Sequence, residues 1–171
     1  STILEKSNKI EKICHEGNVY YYRLPANNPF NNYDPSSSHG ASLNYIWRNI
    51  ISKLDNVDYI MMLDHDIFPT SFFSVKEMLK NQSFYGLVKS RKLGWYLWPG
   101  FSCFSIKILK EIVVDFLPSI YGDTGSSNYL SLYKNYDLKK IDKATDEYIE
   151  LNIEDTDERD IYIDQKNRLE L

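Results

Sequence analysis

Cysteine is scarce. Cys14 and Cys103 are the only two in 171 residues, and neither sits in a C-x-x-C pattern. A disulfide framework is excluded, and three scattered histidines leave a structural zinc site without a ligand set. No apolar run approaches the length of a membrane span. No dense Lys/Arg run supplies the basic footprint that nucleic acid requires. The net charge of −4 is unevenly spread: residues 1–136 carry 14 basic and 12 acidic residues, whereas residues 137–171 carry 6 and 12. The acidic tail argues further against a nucleic-acid partner. No secretory leader pattern opens the chain, so the expected location is cytoplasmic and reducing. The first residue is serine rather than methionine, so the natural N-terminus is expected to lie outside this sequence.

What is present is enough for one domain with a core, at 43% apolar residues. Fourteen tyrosines suggest amphipathic surfaces as well as a packed interior. Ile3, Leu4, Ile10 and Ile13 recur at helical spacing, and "NVYYYRLP" reads as a strand. "ANNPFNNYDPSSSHG" reads as a long loop, followed by a helix with Leu43, Ile46, Trp47, Ile50, Ile51 and Leu54 on its apolar stripe. Then come a strand "YIMML", a helix around "SFFSVKEMLKN" capped by Ser71 or Ser74, and a strand "FYGLVKS". "GWYLWPGFSCFSI" reads as an aromatic loop entering a strand. "KILKEIVVDFL" and "NYLSLYKN" read as helices, and "EYIELNI" and "IYID" as strands. This alternation predicts an α/β fold, a mostly parallel sheet flanked by helices. Residues 1–136 form the expected core, and residues 137–171 an acidic C-terminal segment.

The most informative stretch is "YIMMLDHDIFP", residues 59–69. Strand alternation puts Asp64 and Asp66 on one face and His65 on the other. Adjacent carboxylates repel unless protons or a cation neutralise them. Hard ions such as Mn²⁺ or Mg²⁺ take one or two carboxylates together with phosphate oxygens. The strand is thus a rigid mount for a metal–diphosphate site. A solvated turn is the alternative reading of D-x-D alone.

The segment "HGASLNYIWRNIISKLDNVDYIMMLDHDIFP" resembles the central part of GT-A glycosyltransferases, especially the family-2-like group. Those proteins have a small-residue loop (here Ser38, His39, Gly40, Ala41), a helix carrying an asparagine (here Asn44) and an apolar strand ending in D-x-D. The resemblance implies a GT-A-type fold, incomplete at its N-terminus because the nucleotide-binding strand does not precede Ser1. It implies that Asp66 ligates the metal most directly, with Asp64 nearer the ribose and the water shell, and that Asn44 and His39 lie at the donor. A late histidine that often completes the metal site has no counterpart here.

Other candidates follow from position. Trp95, Trp98 and Gly100 could bind an acceptor, the indoles as a platform for sugar rings and the glycine permitting close approach. Capping the core is the equal alternative. Asp123 in "YGDTGSS" is the best available base to deprotonate an acceptor hydroxyl, with an N-cap or Asx-turn as the competing role. Asp115 reads as part of an apolar helix and is less persuasive as a base. Lys89, Arg91 and Lys92 are either diphosphate contacts or an exposed turn. Cys14 and Cys103 read as core residues.

The resulting expectation is a metal-dependent glycosyltransferase. It would move a sugar from a nucleotide-diphosphate donor to a carbohydrate or glycoconjugate acceptor, with inversion. The rivals are a sugar-phosphate nucleotidyltransferase, for which no Gly-rich phosphate loop occurs, and a non-catalytic glycan-binding or assembly module.

Overall fold

The computed structural model describes the backbone of residues 3–24, 34–64, 67, 72–144, 147–150 and 160–163. The chain divides into two compact units, Ser1–Asn31 and Asn32–Leu171.

The first unit contains helix α1 (Ile3–Glu16). It stops where Gly17 and Val19 donate their N–H groups back to Ile13 and Cys14, with Asn18 at φ 55°. Asparagine tolerates that left-handed conformation better than most residues. The segment expected as a strand after it forms no ladder through residue 24. It is held to α1 by side chains instead: Ser7 Oγ lies 2.6 Å from Tyr21 OH, and Arg23 donates to Asn8 Oδ1 at 2.9 Å.

The second unit opens with helix α2 (Pro35–Asn49). Asp34 is its N-cap, accepting the Ser37 N–H at 3.1 Å, and Pro35 takes the first helical position. Both choices suit a helix start: the carboxylate accepts an orphan N–H, and proline has none to lose. Hydrogen bonds from the Ser37 side chain and backbone hold the Asp34 carboxyl below its usual range. Residues 36–41 are therefore helical rather than loop. Gly40, Ala41, Asn44 and Trp47 form the buried stripe.

Three strands form an antiparallel sheet: β1 (Tyr59–Leu63), β2 (Phe84–Arg91) and β3 (Gly94–Ser105), in the order β1-β3-β2. The mostly parallel sheet expected from the alternation, and the GT-A-type architecture implied by the resemblance, are overturned. The reason is the connection. Arg91 pairs with Gly94, so β2 turns into β3 across two residues, and a turn that short joins only antiparallel strands. Nor do the intervening helices cover a parallel crossover. α3 (Val75–Met78), capped by Ser74, and α4 (Ile106–Lys110) are about one turn each. The segment expected as the late helix resolves into short 3₁₀ turns, Ser126–Tyr129 and Tyr133–Asn135. Strands β4 (Glu147–Glu150) and β5 (Asp160–Ile163) pair antiparallel in the acidic tail.

Apolar clusters cover both faces of the sheet, which is why its strands read as continuous hydrophobic runs. One holds Phe84, Trp95, Phe104 and Tyr133, with Ile60 and Met62 against it. The other holds Tyr85, Leu87, Phe101 and Cys103, with Met61 and Trp98 against it. Phe84 meets Tyr133 and Tyr136 edge-on, at centroid distances of 5.8 and 4.7 Å. Each such buried ring contributes about 2–3 kcal/mol by burial alone. Cys103 is a core residue as expected, whereas Cys14 is only half-buried.

Burial pushes the Tyr133 phenol well up from its ordinary value, and a hydrogen bond with the Leu97 backbone offsets part of that. Above a pH of about 10 an unfolded tyrosine ionises while this one stays protonated, so the unfolded state gains. Between pH 9 and 11 wild-type stability should then fall by about 1.4 kcal/mol more in total than that of Tyr133→Phe. Urea melts between pH 9 and 11 check this, and parallel slopes would refute it.

Candidate functional site

The site is organised by a bulge in β3. Gly86 of β2 pairs with Ser102 and Val88 with Leu97, so Leu87 alone stands opposite Trp98, Pro99, Gly100 and Phe101. Proline brings no N–H to the ladder, and bulges re-aim side chains at sheet edges. The Trp98 indole lies over Gly100, where a β-carbon would collide with the ring. Gly100 thus makes room for Trp98 itself rather than for a ligand.

β1 ends against this bulge. The Asp64 N–H donates to the Gly100 carbonyl at 2.9 Å, extending the β1–β3 ladder by one bond. Strand alternation gives half-buried Asp64 the same face as Ile60 and Met62. The Ile67 N–H donates to the Asp64 carbonyl at 3.1 Å. Asp66 and His65 lie outside the described residues.

Residues 122–125 pack against Tyr96, Leu97 and Pro99 of β3. Gly125 sits at φ 90° with its α-carbon turned to the Leu97 carbonyl and the Pro99 ring, a conformation that favours glycine. The Asp123 N–H donates to Tyr96 OH at 3.2 Å, and Asp123 Oδ1 accepts from the Thr124 N–H at 2.7 Å. The Asp123 side chain is exposed, with one oxygen oriented by its own turn. Thr124 Oγ1 donates to the Ser36 carbonyl at 3.0 Å, which ties this loop to the first turn of α2.

Asn44 is no donor ligand. It is 5% exposed, and its amide is used internally: Nδ2 donates to Asp115 Oδ1 at 2.7 Å, and Oδ1 accepts from Phe116 N at 2.9 Å. Asp115 lies beyond α4, not in a helix, and also accepts from Leu117 N at 3.0 Å. Asn128 Oδ1 accepts the Asp115 N–H at 3.0 Å. These three residues form a polar strut between α2 and residues 115–128. Its members satisfy one another, as buried polar groups must.

The acceptor platform expected from two tryptophans does not form. Trp95 is 8% exposed and packs on Phe84 and Tyr133, while Trp98 belongs to the cluster on the opposite face. Side chains alternate along a strand, so two residues three positions apart turn to opposite faces. His39 is half-buried within α2, not in a loop. Arg91 and Lys92 are exposed at the β2–β3 turn.

Asp64 thus meets β3 at Gly100, while the Asp123 loop meets it at Tyr96, Leu97 and Pro99 and is tied to the start of α2. Sequence reasoning missed Tyr96 and Thr124, which hold Asp123 in place. "DTG" was a signal for Thr124, since a hydroxyl beside a turn aspartate often bonds to nearby backbone. Nothing marked Tyr96 among fourteen tyrosines.

Asp64 is a hard oxygen donor of the type Mn²⁺ and Mg²⁺ accept. Among the described residues no group of three or more His, Cys, Asp or Glu side chains could hold a metal ion. A site completed by substrate phosphates needs fewer protein ligands than that. Among the described residues no helix is long and apolar enough to cross a membrane. No family model, no curated protein and no solved structure matches this chain.

Proposed function

We propose that this chain is a sugar transferase. It moves a glycosyl group from a nucleotide diphosphate to an acceptor hydroxyl, with Asp64 and Asp66 holding Mn²⁺ or Mg²⁺ and Asp123 acting as base. The observation that supports it most is that two separate chain segments, carrying Asp64 and Asp123, both anchor on β3 within residues 96–100. Such a layout suits a displacement that needs charge neutralised on one side of a carbon and a proton removed on the other.

In that reaction the acceptor oxygen bonds to the anomeric carbon as the bond from that carbon to the diphosphate oxygen breaks. Asp123 takes the hydroxyl proton, and a single displacement inverts the centre. The divalent ion, when bound, neutralises charge on the departing diphosphate. Asp64 holds its side of that site through the Gly100 hydrogen bond. Tyr96 and Thr124 fix Asp123, so little reorganisation is needed on reaction.

The test is release of UDP or GDP from UDP- and GDP-sugars with and without Mn²⁺, with CMP-sugars, which can release only CMP, as the monophosphate comparison. Wild type should release the diphosphate only with the metal, and Asp66→Ala should lower the rate about 100-fold or more. Unchanged release in Asp66→Ala would remove the assignment to this site. Formation of a nucleotide sugar from a nucleoside triphosphate and a sugar phosphate would favour the nucleotidyltransferase instead. Binding of glycans without any turnover would favour a non-catalytic module.

A further inference from the structure

The turn that carries Asp123 carries something else. Ser119 and Gly122 exchange two backbone hydrogen bonds of 3.0 Å, leaving Ile120 and Tyr121 at the tip. Tyr121 N donates to Ser119 Oγ at 3.2 Å, and Ser119 N and Oγ both lie 2.9 Å from the buried Ser126 hydroxyl. The turn is therefore held at its base by side chains as well as backbone. The Tyr121 ring stands 4.4 Å from that of Tyr129, tilted by 37°. Tyr129 in turn lies on Gly94, where a β-carbon would come within 2.8 Å of the ring. The tyrosine pair is thus fixed between the β2–β3 turn and the Asp123 loop. Around it Ile120 is 74% exposed, Leu93 55% and Leu130 52%.

We infer that the Tyr121–Tyr129 pair is the acceptor subsite, and that it takes the apolar face of a sugar ring. This rests on the reading of Asp123 as base. Three features favour a carbohydrate over other occupants. Tyrosine rings offer flat apolar faces with a hydroxyl at the rim, matching a pyranose with one C–H face and peripheral hydroxyls. The rings are held in place before any ligand arrives, so little side-chain entropy is lost on binding. Tyr121 also lies two residues from Asp123, at most about 7 Å along the chain, a separation a single sugar ring can bridge. A ring on the tyrosines would present its edge hydroxyl to the carboxylate. Trp95, buried on Phe84 and Tyr133, cannot do this.

The experiment uses the full chain with Mn²⁺ and UDP, and methyl glycosides of glucose, galactose, mannose and N-acetylglucosamine as probes. Saturation-transfer NMR reads which sugar protons touch the protein. Wild type should show transfer to the protons of one ring face for at least one glycoside. Tyr121→Phe should keep it, and Tyr121→Ala and Tyr129→Ala should weaken binding about tenfold. Thermal melts of all variants separate lost binding from lost folding, and Tyr121→Phe is the variant that preserves the ring packing. With a competent acceptor, Tyr121→Ala should raise KM about tenfold while kcat changes far less. Absence of transfer in wild type with every glycoside would overturn the inference. So would wild-type signal in a folded Tyr121→Ala. Self-association that disappears in Tyr121→Ala, with no sugar signal, would identify a protein interface in its place. Wild-type donor hydrolysis is measured in parallel. Sugar contacts without hydrolysis would sink the transferase and with it the acceptor role, leaving a sugar-binding pair; hydrolysis without tyrosine-dependent contacts would sink the subsite and keep the transferase.

Discussion

Replacing Asp123 with asparagine is expected to lower kcat about 1,000-fold and to leave the fold unchanged. Asparagine keeps a side-chain oxygen that can accept the Thr124 N–H, so the turn survives; the group able to take a proton does not. The exposed carboxylate makes only turn-orienting bonds, so its removal costs little stability. Steady-state kinetics with a competent acceptor, together with thermal melts, check both halves. A variant that retains wild-type kcat would make Asp123 a turn residue and nothing more. That outcome would not touch the metal side, which Asp66→Ala tests separately.

The second large effect is on stability. Gly40 lies in the middle of α2, where alanine would normally be favoured by about 1 kcal/mol. Here the sign reverses. A β-carbon at position 40 would fall on the Phe116 carbonyl group, 2.9 Å from its carbon and closer still to its oxygen. That oxygen is already engaged, accepting the Gly125 N–H at 2.7 Å, and Phe116 N is held by Asn44. The obstacle is backbone fixed from two sides, not the end of a flexible side chain. Overpacking of this sort costs about 1–3 kcal/mol and occasionally more, so Gly40→Ala should destabilise by about 2 kcal/mol net. Urea unfolding should show a lower midpoint with an unchanged slope. A midpoint at or above wild type would show that α2 can move away from residues 115–117. Because Phe116 also accepts from Gly125, two residues past Asp123, the same change should impair turnover of whatever protein remains folded.

The second expectation depends on contacts between residues far apart in the chain, and that is where sequence and structure part. The apolar strand "YIMML" was legible because burial on both faces demands a continuous hydrophobic run, and β1 spans those residues. "FYGLVKS" was legible for the same reason and lies within β2. The apolar stripe of α2 was readable, but its start was placed too late. Asp34 and Pro35 are the sequence's own start signal, overlooked among the serines that follow. The β2–β3 hairpin was missed because Arg91, Lys92, Leu93 and Gly94 contain none of the dipeptides that usually announce a two-residue turn. The helix expected over "KILKEIVVDFL" fails after Lys110, where hydrogen bonds to Asn44 and Asn128 draw the chain into an extended path.

The sequence by itself determined the local preferences: which segments are apolar, where an aspartate terminates a strand, where glycine loosens a turn. These depend on a few neighbouring residues. Tertiary structure alone decided that the strands run antiparallel, that Trp95 and Trp98 part to opposite faces, and that Asn44 braces residues 115 and 116. It also decided that Asp64 and the Asp123 loop both reach β3, at Gly100 and at Tyr96. Hydrogen bonds between Asn44 and Asp115 span a sequence separation of 71, and no local periodicity encodes a pairing at that range.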